Sequence, residues 1–267
     1  MIATMVTGCG GSKSSSTSGN ADSTAKQFEI NAAIAANPPA LDPHTVNANV
    51  TGAIGIHIYE ALFQMDENYE PQPVLAESYE MSDDGKEYTI KLRQGVKFHN
   101  GDEMKADDVV ASMNRWMELS PKAKTLIGGS VFEKVDDYTV KLTVNEPSSD
   151  IIMVLASPIQ FAAIYPSQLL IQQVMSVKEY IGTGPYKVAD WKQDQYVKLE
   201  KNEAYQPAEE VSTGLAGEKK AATETLYFDV VTDTATRIAG VQSGQYDIAE
   251  EIPADNYEEL SKDKNLE

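Results

Sequence analysis

The chain has 267 residues, 42% of them hydrophobic, and a formal charge of −19 from 22 Lys and Arg against 41 Asp and Glu. That length can bury a core in one or two domains, and no stretch approaches the roughly 20 apolar residues of a membrane span. So acidic a surface repels phosphate backbones and excludes nucleic acid as a partner.

Residues 1–26 read as signal, anchor and tether. A short apolar stretch ends in Val6-Thr7-Gly8-Cys9, and Cys9 is the single cysteine, so no internal disulfide can form. The four residues resemble the bacterial lipobox, in which the cysteine is diacylated and the peptide before it removed. Two parts of such a signal are missing: a basic n-region and an apolar stretch of about 7–15 residues. This leaves room for a start codon upstream. The following Gly10-Gly11-Ser12-Lys13-Ser14 and its Ser/Thr continuation cannot bury enough apolar surface to order themselves. The segment also lacks the glycine spacing of a phosphate loop.

Phe28-Glu29-Ile30-Asn31-Ala32-Ala33-Ile34 reads as the first strand, ended by Asn37-Pro38-Pro39-Ala40-Leu41 because proline cannot donate to a ladder. Residues 50–64 form a helix, with Ile54, Ile58, Ala61 and Leu62 at helical spacing. Two strictly alternating strands follow. Tyr88, Ile90 and Leu92 make the buried face of one; Tyr138, Val140, Leu142 and Val144 make that of the other. Such alternation belongs to an antiparallel sheet with one wet face. Asp83-Asp84-Gly85 and Asp136-Asp137 are turn chemistry rather than an acid pair or calcium site. Residues 106–117 form a helix with Val109, Met113 and Trp116 on its core face and Asp107 and Asp108 in its first turn.

The second half opens on Gly182-Thr183-Gly184-Pro185-Tyr186, which lacks the third glycine of a dinucleotide fingerprint. Strands follow at residues 196–200 and 225–231, the latter apolar enough to be buried on both faces. Residues 207–222 read as a surface loop, 233–243 as a helix, 246–249 as a short strand and 255–260 as the start of a helix. The three histidines, His44, His57 and His99, read as structural. No nucleophile elbow, metal motif or nucleophile–base pattern is present, so no catalytic residue, metal ligand or cofactor is assigned.

Four blocks together resemble the family 5 extracellular solute-binding proteins, the peptide- and nickel-binding group. They are Leu41-Asp42-Pro43-His44; Tyr59-Glu60-Ala61-Leu62 with residues 73–79; residues 92–101 with 106–112; and Gly182-Thr183-Gly184-Pro185-Tyr186 with residues 199–205 and 243–247. The order and spacing hold over residues 28–250. Two departures stand out. Lys105 replaces a common threonine helix cap, which weakens the cap by about 1 kcal/mol, and Gln206-Pro207 follows Tyr205 where tryptophan is common.

The resemblance implies a mixed α/β (α+β) fold: an incomplete type II periplasmic-binding-protein lobe with an extra antiparallel subdomain. Residues 27–46 plus 181–267 would form the partial first-lobe core and residues 47–180 the inserted subdomain. The second lobe, with the carboxylate and arginine that clamp peptide termini, would be absent, making the chain a fragment, a truncated form or a split gene product. The implied function is a lipid-anchored, extracytoplasmic binding protein that hands di- or oligopeptides to the permease of an ABC importer. Nickel, a metal chelate or another solute is the alternative ligand. Peptide backbone would be held at the edge formed by Asn37, Pro38, Ala40 and Leu41, with Ala249, Glu250 and Glu251 as another wall.

Overall fold

The protein was analysed as a computed structural model that describes residues 28–172 and 175–266; Cys9 and the Ser-rich tether lie outside the described residues. In chain order the elements are β1 (Glu29–Ile34), α1 (Asn49–Ile58), β2 (Phe63–Met65), β3 (Pro71–Pro73), β4 (Ala76–Met81), β5 (Glu87–Leu92), α2 (Ala106–Leu119), α3 (Pro121–Ile127), β6 (Val131–Asp136) and β7 (Thr139–Thr143). They continue with α4 (Ile151–Leu155), α5 (Ser167–Gln172), β8 (Tyr186–Lys192), β9 (Tyr196–Lys201), β10 (Thr225–Val230), α6 (Thr234–Gln242), β11 (Ile248–Ala249), a 3₁₀ turn (Ala254–Asn256) and α7 (Tyr257–Leu260).

Two larger sheets organise the chain. The first has the order β4-β5-β7-β6 and is antiparallel throughout. Its alternation is as the sequence dictates: Tyr88, Ile90, Leu92, Val140 and Leu142 point into a core while Glu87 and Lys91 face water. Helix α2 covers that face with Val109, Met113 and Trp116, and the Trp116 indole N–H donates to the Gln160 carbonyl at 2.7 Å. Lys105 has no acceptor to offer the first turn of α2. Instead Asp108 accepts from the Lys105 N–H at 2.9 Å, and the ammonium of Lys105 reaches Asp137 at 3.1 Å.

The second sheet has the order β11-β1-β10-β9-β8 and is mixed. β1 runs parallel to both β10 and β11, whereas β9 and β8 are antiparallel additions. Its core is built from Ile34, Leu41, Ile54, Ile58, Tyr59, Val197, Leu199, Leu226 and Phe228, with α1 and residues 161–170 packed against it. Ile181 touches both cores and joins them.

Three expectations change. The helix expected over residues 50–64 stops at Ile58 because the next residues find non-local partners. Gly184 donates to Ile58 O, Ile164 to Glu60 O, Leu75 to Ala61 O and Val74 to Leu62 O, and this pairing holds residues 59–62 in a fully buried, non-helical crossing. β10 is buried on one face only: Leu226 and Phe228 face the core, while Tyr227 and Asp229 are half-buried. The segment 207–222 is not a free loop, since Leu215 donates to Met65 O and Lys219 to the Gln64 side chain at 2.8 Å.

Candidate functional site

Three parallel strands end side by side. Ile34 is in register with Val230, and Ala33 with Ala249, so the carboxyl ends of β10, β1 and β11 form one rim with β1 at its centre. The crevice beyond the carboxyl ends of parallel strands is where open α/β sheets receive ligands, because the connections diverge there. Of the residues assigned from sequence to a binding edge, Ala249 ends β11 and the others follow β1 or β11, so all fall at this rim.

The structure separates them by accessibility. Asn37 spans to the β8–β9 turn, where its Oδ1 accepts from the Asp194 N–H at 3.2 Å. Ala40 is partly exposed, and its carbonyl accepts from Thr51 Oγ1 at 2.7 Å, which fixes the loop to α1. Pro38 is buried, and Leu41 is buried to 0% exposure among the core side chains, so neither presents a face to a ligand in this conformation. On the other side of β1, Glu250 donates to Ala33 O at 3.0 Å, and Glu251 is exposed with a φ of 50°.

Sequence reading missed Arg237. It sits in the first turn of α6 with 2% exposure, and its guanidinium makes five hydrogen bonds. Nε donates to Glu250 O at 3.0 Å; Nη1 donates to Val231 O at 2.7 Å and Thr232 O at 3.0 Å; Nη2 donates to Glu251 O at 3.1 Å and Thr234 Oγ1 at 3.3 Å. The exits of β10 and β11 are thereby tied together on either side of β1. One signal was available in the sequence: a cation in a helix's first turn opposes the helix dipole and needs another use.

Around the rim the side-chain charge is acidic. Asp194, Asp233, Glu250 and Glu251 lie on the strand exits and turns there. Burial pushes the Asp229 carboxyl up, while Thr236 holds Asp233 below its ordinary value.

The remaining sequence blocks meet inside the protein. Asp42 is fully buried and accepts from Arg115 at 2.6 and 3.2 Å, from Tyr165 OH at 2.9 Å and from the Val177 N–H at 3.3 Å. Glu60 accepts from Thr183 Oγ1 at 2.9 Å and Tyr205 OH at 2.8 Å. His99 Nδ1 accepts from the Gly182 N–H at 3.2 Å, which leaves Nε2–H to donate to Gly184 O at 3.0 Å. Burial lowers His99 and His57 to about 4 and His44 to about 3, so all three are neutral struts. An apolar groove of about 190 Å³ beside α1, lined by Pro43, Gly52, Ile56, Pro158 and Leu215, includes none of the rim residues. Among the described residues no three His, Cys, Asp or Glu are grouped to hold a metal ion, and no helix is long and apolar enough to cross a membrane.

Comparison with known proteins agrees with this architecture. The family description "Bacterial extracellular solute-binding proteins, family 5 Middle" matches residues 70–267. The glutathione-binding protein GsiB of Escherichia coli K12 is 34% identical over 247 residues, covering 90% of this chain and 45% of its own length. Among solved structures, the oligopeptide-binding protein AppA of Bacillus subtilis, in complex with a nonapeptide, aligns with a TM-score of 0.74 at 27% identity, covering 90% of this chain and 47% of AppA. The PBP AgaA of A. tumefaciens R10, in complex with agropinic acid, aligns at 0.76 and 28%, covering 88% of this chain and 46% of its own. The chain thus spans about half the length of the curated relatives it matches.

Proposed function

The chain belongs to the bacterial extracellular solute-binding proteins, family 5, and on that footing we propose that it captures di- or oligopeptides outside the membrane for delivery to the permease of an ABC importer. The observation that carries this reading is the row of unspent main-chain donors where β1 leaves the sheet. The N–H groups of Ala35, Ala36, Asn37 and Ala40 have no acceptor among the described residues. β1 is paired on both sides, so these donors belong to the chain leaving it rather than to a strand edge. Main-chain donors of this kind still hold peptide backbone while tolerating many side chains. The relatives support it, since glutathione is itself a small peptide. In this reading Asn37, Ala40, Ala249, Glu250 and Glu251 contribute the first-lobe wall, with Pro38 and Leu41 as its packed support. On the same reading residues 27–46 plus 181–267 form the lobe, with α1 and residues 161–170 packed into its core, and the four-stranded sheet with α2 is the body of the 47–180 insertion.

Anchoring through a diacylated Cys9 belongs to the same proposal, supported by Val6-Thr7-Gly8-Cys9 and the Ser-rich tether. Capture, not turnover, is the expected chemistry. Calorimetric titration of glutathione and of di- and tripeptides tests it, on this chain and on the chain extended to the length of its relatives. The extended protein binds at least one of them and returns it unchanged, and the shorter chain binds weakly because one wall supplies no charge clamp. Failure of the extended protein to bind any of them rejects the reading.

A further inference from the structure

We propose that Arg237 is a positioning residue that turns the main-chain N–H groups of Glu251 and Ile252 into a paired subsite for a neutral carbonyl oxygen of the ligand. The proposal rests on the peptide-binding reading above and adds a second contact strip, on the β11 side of the rim.

The geometry follows from peptide planarity. In a trans peptide the carbonyl of one residue and the N–H of the next point in opposite directions. Arg237 receives the carbonyls of both Glu250 and Glu251. The N–H groups of Glu251 and Ile252 therefore point away from the guanidinium. Neither has an acceptor among the described residues, Glu251 is exposed and Ile252 partly so. In extended chain, successive carbonyls alternate in direction, so one guanidinium cannot collect two in a row. Glu251 solves this by adopting a φ of 50°, the left-handed region that non-glycine residues rarely visit. Such strain persists where the surroundings over-determine it, often at ligand clamps. Here the surroundings are the five bonds of a guanidinium with five N–H donors and none to spare.

Arg237 also ends the sheet. Glu250 donates to Ala33 O, and in a continued parallel ladder the Glu250 carbonyl would next accept from Ala35. Arg237 takes that carbonyl instead, and the Ala35 N–H stays unspent. One side chain thus leaves donors free on both β1 and the β11 exit.

The class of acceptor follows from the charge. Glu250 and Glu251 carry the side chains at the pair, and Arg237 is buried behind carbonyls that absorb its donors. A carboxylate approaching from the rim meets like charge, whereas an amide carbonyl does not. The pair suits a peptide-bond carbonyl.

The test is amide NMR on the full chain titrated with Ala-Ala-Ala and, in parallel, with acetate. Ala-Ala-Ala shifts the Glu251 and Ile252 amides downfield along with those near Asn37, and acetate leaves them unmoved. Arg237→Lys, which cannot fork to both carbonyls, abolishes the response at Glu251 and Ile252 but keeps that near Asn37, and its affinity for the tripeptide falls about tenfold, the equivalent of one or two hydrogen bonds. A thermal melt shows whether Arg237→Lys remains cooperatively folded; the wild-type titration decides the proposal either way. Tripeptide binding that moves the amides near Asn37 but not those of Glu251 and Ile252 overturns the subsite and leaves the peptide-binding reading standing. So does a response to acetate equal to that to the tripeptide. Absence of any tripeptide-induced shift at Glu251 and Ile252, in this chain and in the chain extended to the length of its relatives, overturns the subsite, whereas the peptide-binding reading falls only if the extended chain binds no peptide in calorimetry.

Discussion

The guanidinium of Arg115 on α2 meets the carboxylate of Asp42, in the loop after β1, through hydrogen bonds of 2.6 and 3.2 Å with both side chains buried. The pair ties the helix over the four-stranded sheet to the core of the five-stranded one. Removing one partner leaves the other charge buried and uncompensated. Arg115→Met is therefore expected to cost about 3–5 kcal/mol, and pairing it with Asp42→Leu should recover part of that. Urea unfolding monitored by circular dichroism checks both. The pair also sets an acid limit. Burial pushes the Asp42 carboxyl up, but the bonds from Arg115 and Tyr165 outweigh it and hold the group below its ordinary value. The folded state then binds fewer protons than the unfolded state. The stability is full above the unfolded carboxylate value, ~3.9, and drains as pH falls through the lower folded value. A single-site loss confined to a higher pH range would contradict this.

His99 produces an earlier acid effect. Its ring accepts from one glycine N–H and donates to another glycine's carbonyl, a pattern only the neutral imidazole can make. Burial, first among the causes, lowers it to about 4. Because the folded value lies below the unfolded one of about 6.5, protonation favours unfolding. The stability contributed by His99 is complete above about pH 6.5 and lost progressively down to about pH 4. Proton NMR of the His99 ring should show no titration until near pH 4, and His99→Gln should flatten part of the stability slope over that window. A ring titrating near pH 6.5 would remove His99 from the joint.

Some of this architecture is legible from sequence and some is not. The faces of β5 and β7 were readable because one side of each strand is wet, which imposes a period of two on the residues themselves. Helix α2 was readable for the same local reason. The end of α1 was not, because Ile58 to Leu62 are held by residues 74, 75, 164 and 184. The candidate rim is mixed. The exit of β1 is marked by two prolines, but Leu41, offered as a binding residue, proves to be a core side chain. Arg237 was read only as part of a helix, since its partners are set by the register of three strands rather than by its neighbours in sequence.

The glycine pair of the second half should tolerate no side chain, for reasons of space. A Cβ on Gly182 would lie 2.2 Å from Ile58 O and 2.6 Å from the Tyr59 ring, and one on Gly184 would lie 2.6 Å from His57 O. The two carbonyl oxygens are backbone atoms at the end of α1 that cannot swing aside, and the Tyr59 ring is fully buried. Gly182→Ala and Gly184→Ala should each cost roughly 1–3 kcal/mol, as overpacking does. Differential scanning calorimetry would register this as a lowered midpoint. Unchanged midpoints would mean that the 182–184 segment is not packed on α1 as described.

Anchoring is expected to depend on one thiol. If Cys9 is diacylated, the protein made in a bacterial host should enter the detergent phase on phase separation, and Cys9→Ser should move it to the aqueous phase. Two acyl chains matter, because a single chain holds only marginally. Identical partition of the two proteins would dismiss the anchor without touching the binding reading.

Ala40→Pro probes the β1 side of the rim with little risk to the fold. The substitution deletes one N–H that has no acceptor among the described residues, so no internal hydrogen bond is lost with it. The Ala40 carbonyl keeps its bond from Thr51, which holds the loop in place. Pro39 then precedes a proline and is confined to extended geometry, which suits a chain leaving a strand. If the Ala40 N–H donates to peptide backbone, the loss of one such bond, net about 0.5–1.5 kcal/mol, weakens binding by about 2- to 10-fold. Asn37→Ala is the contrast: it removes the contact with Asp194 but keeps the Asn37 N–H, so affinity should stay within about twofold while the β8–β9 turn loosens. Calorimetry on the chain extended to the length of its relatives, with a melt for each variant, separates the two effects. Affinity undiminished by Ala40→Pro, with the melt unchanged, would take Ala40 out of the site and shift the contact to Ala35, Ala36 and Asn37. A loss on Asn37→Ala larger than that on Ala40→Pro would instead mean that the ligand reads a side chain here rather than the backbone.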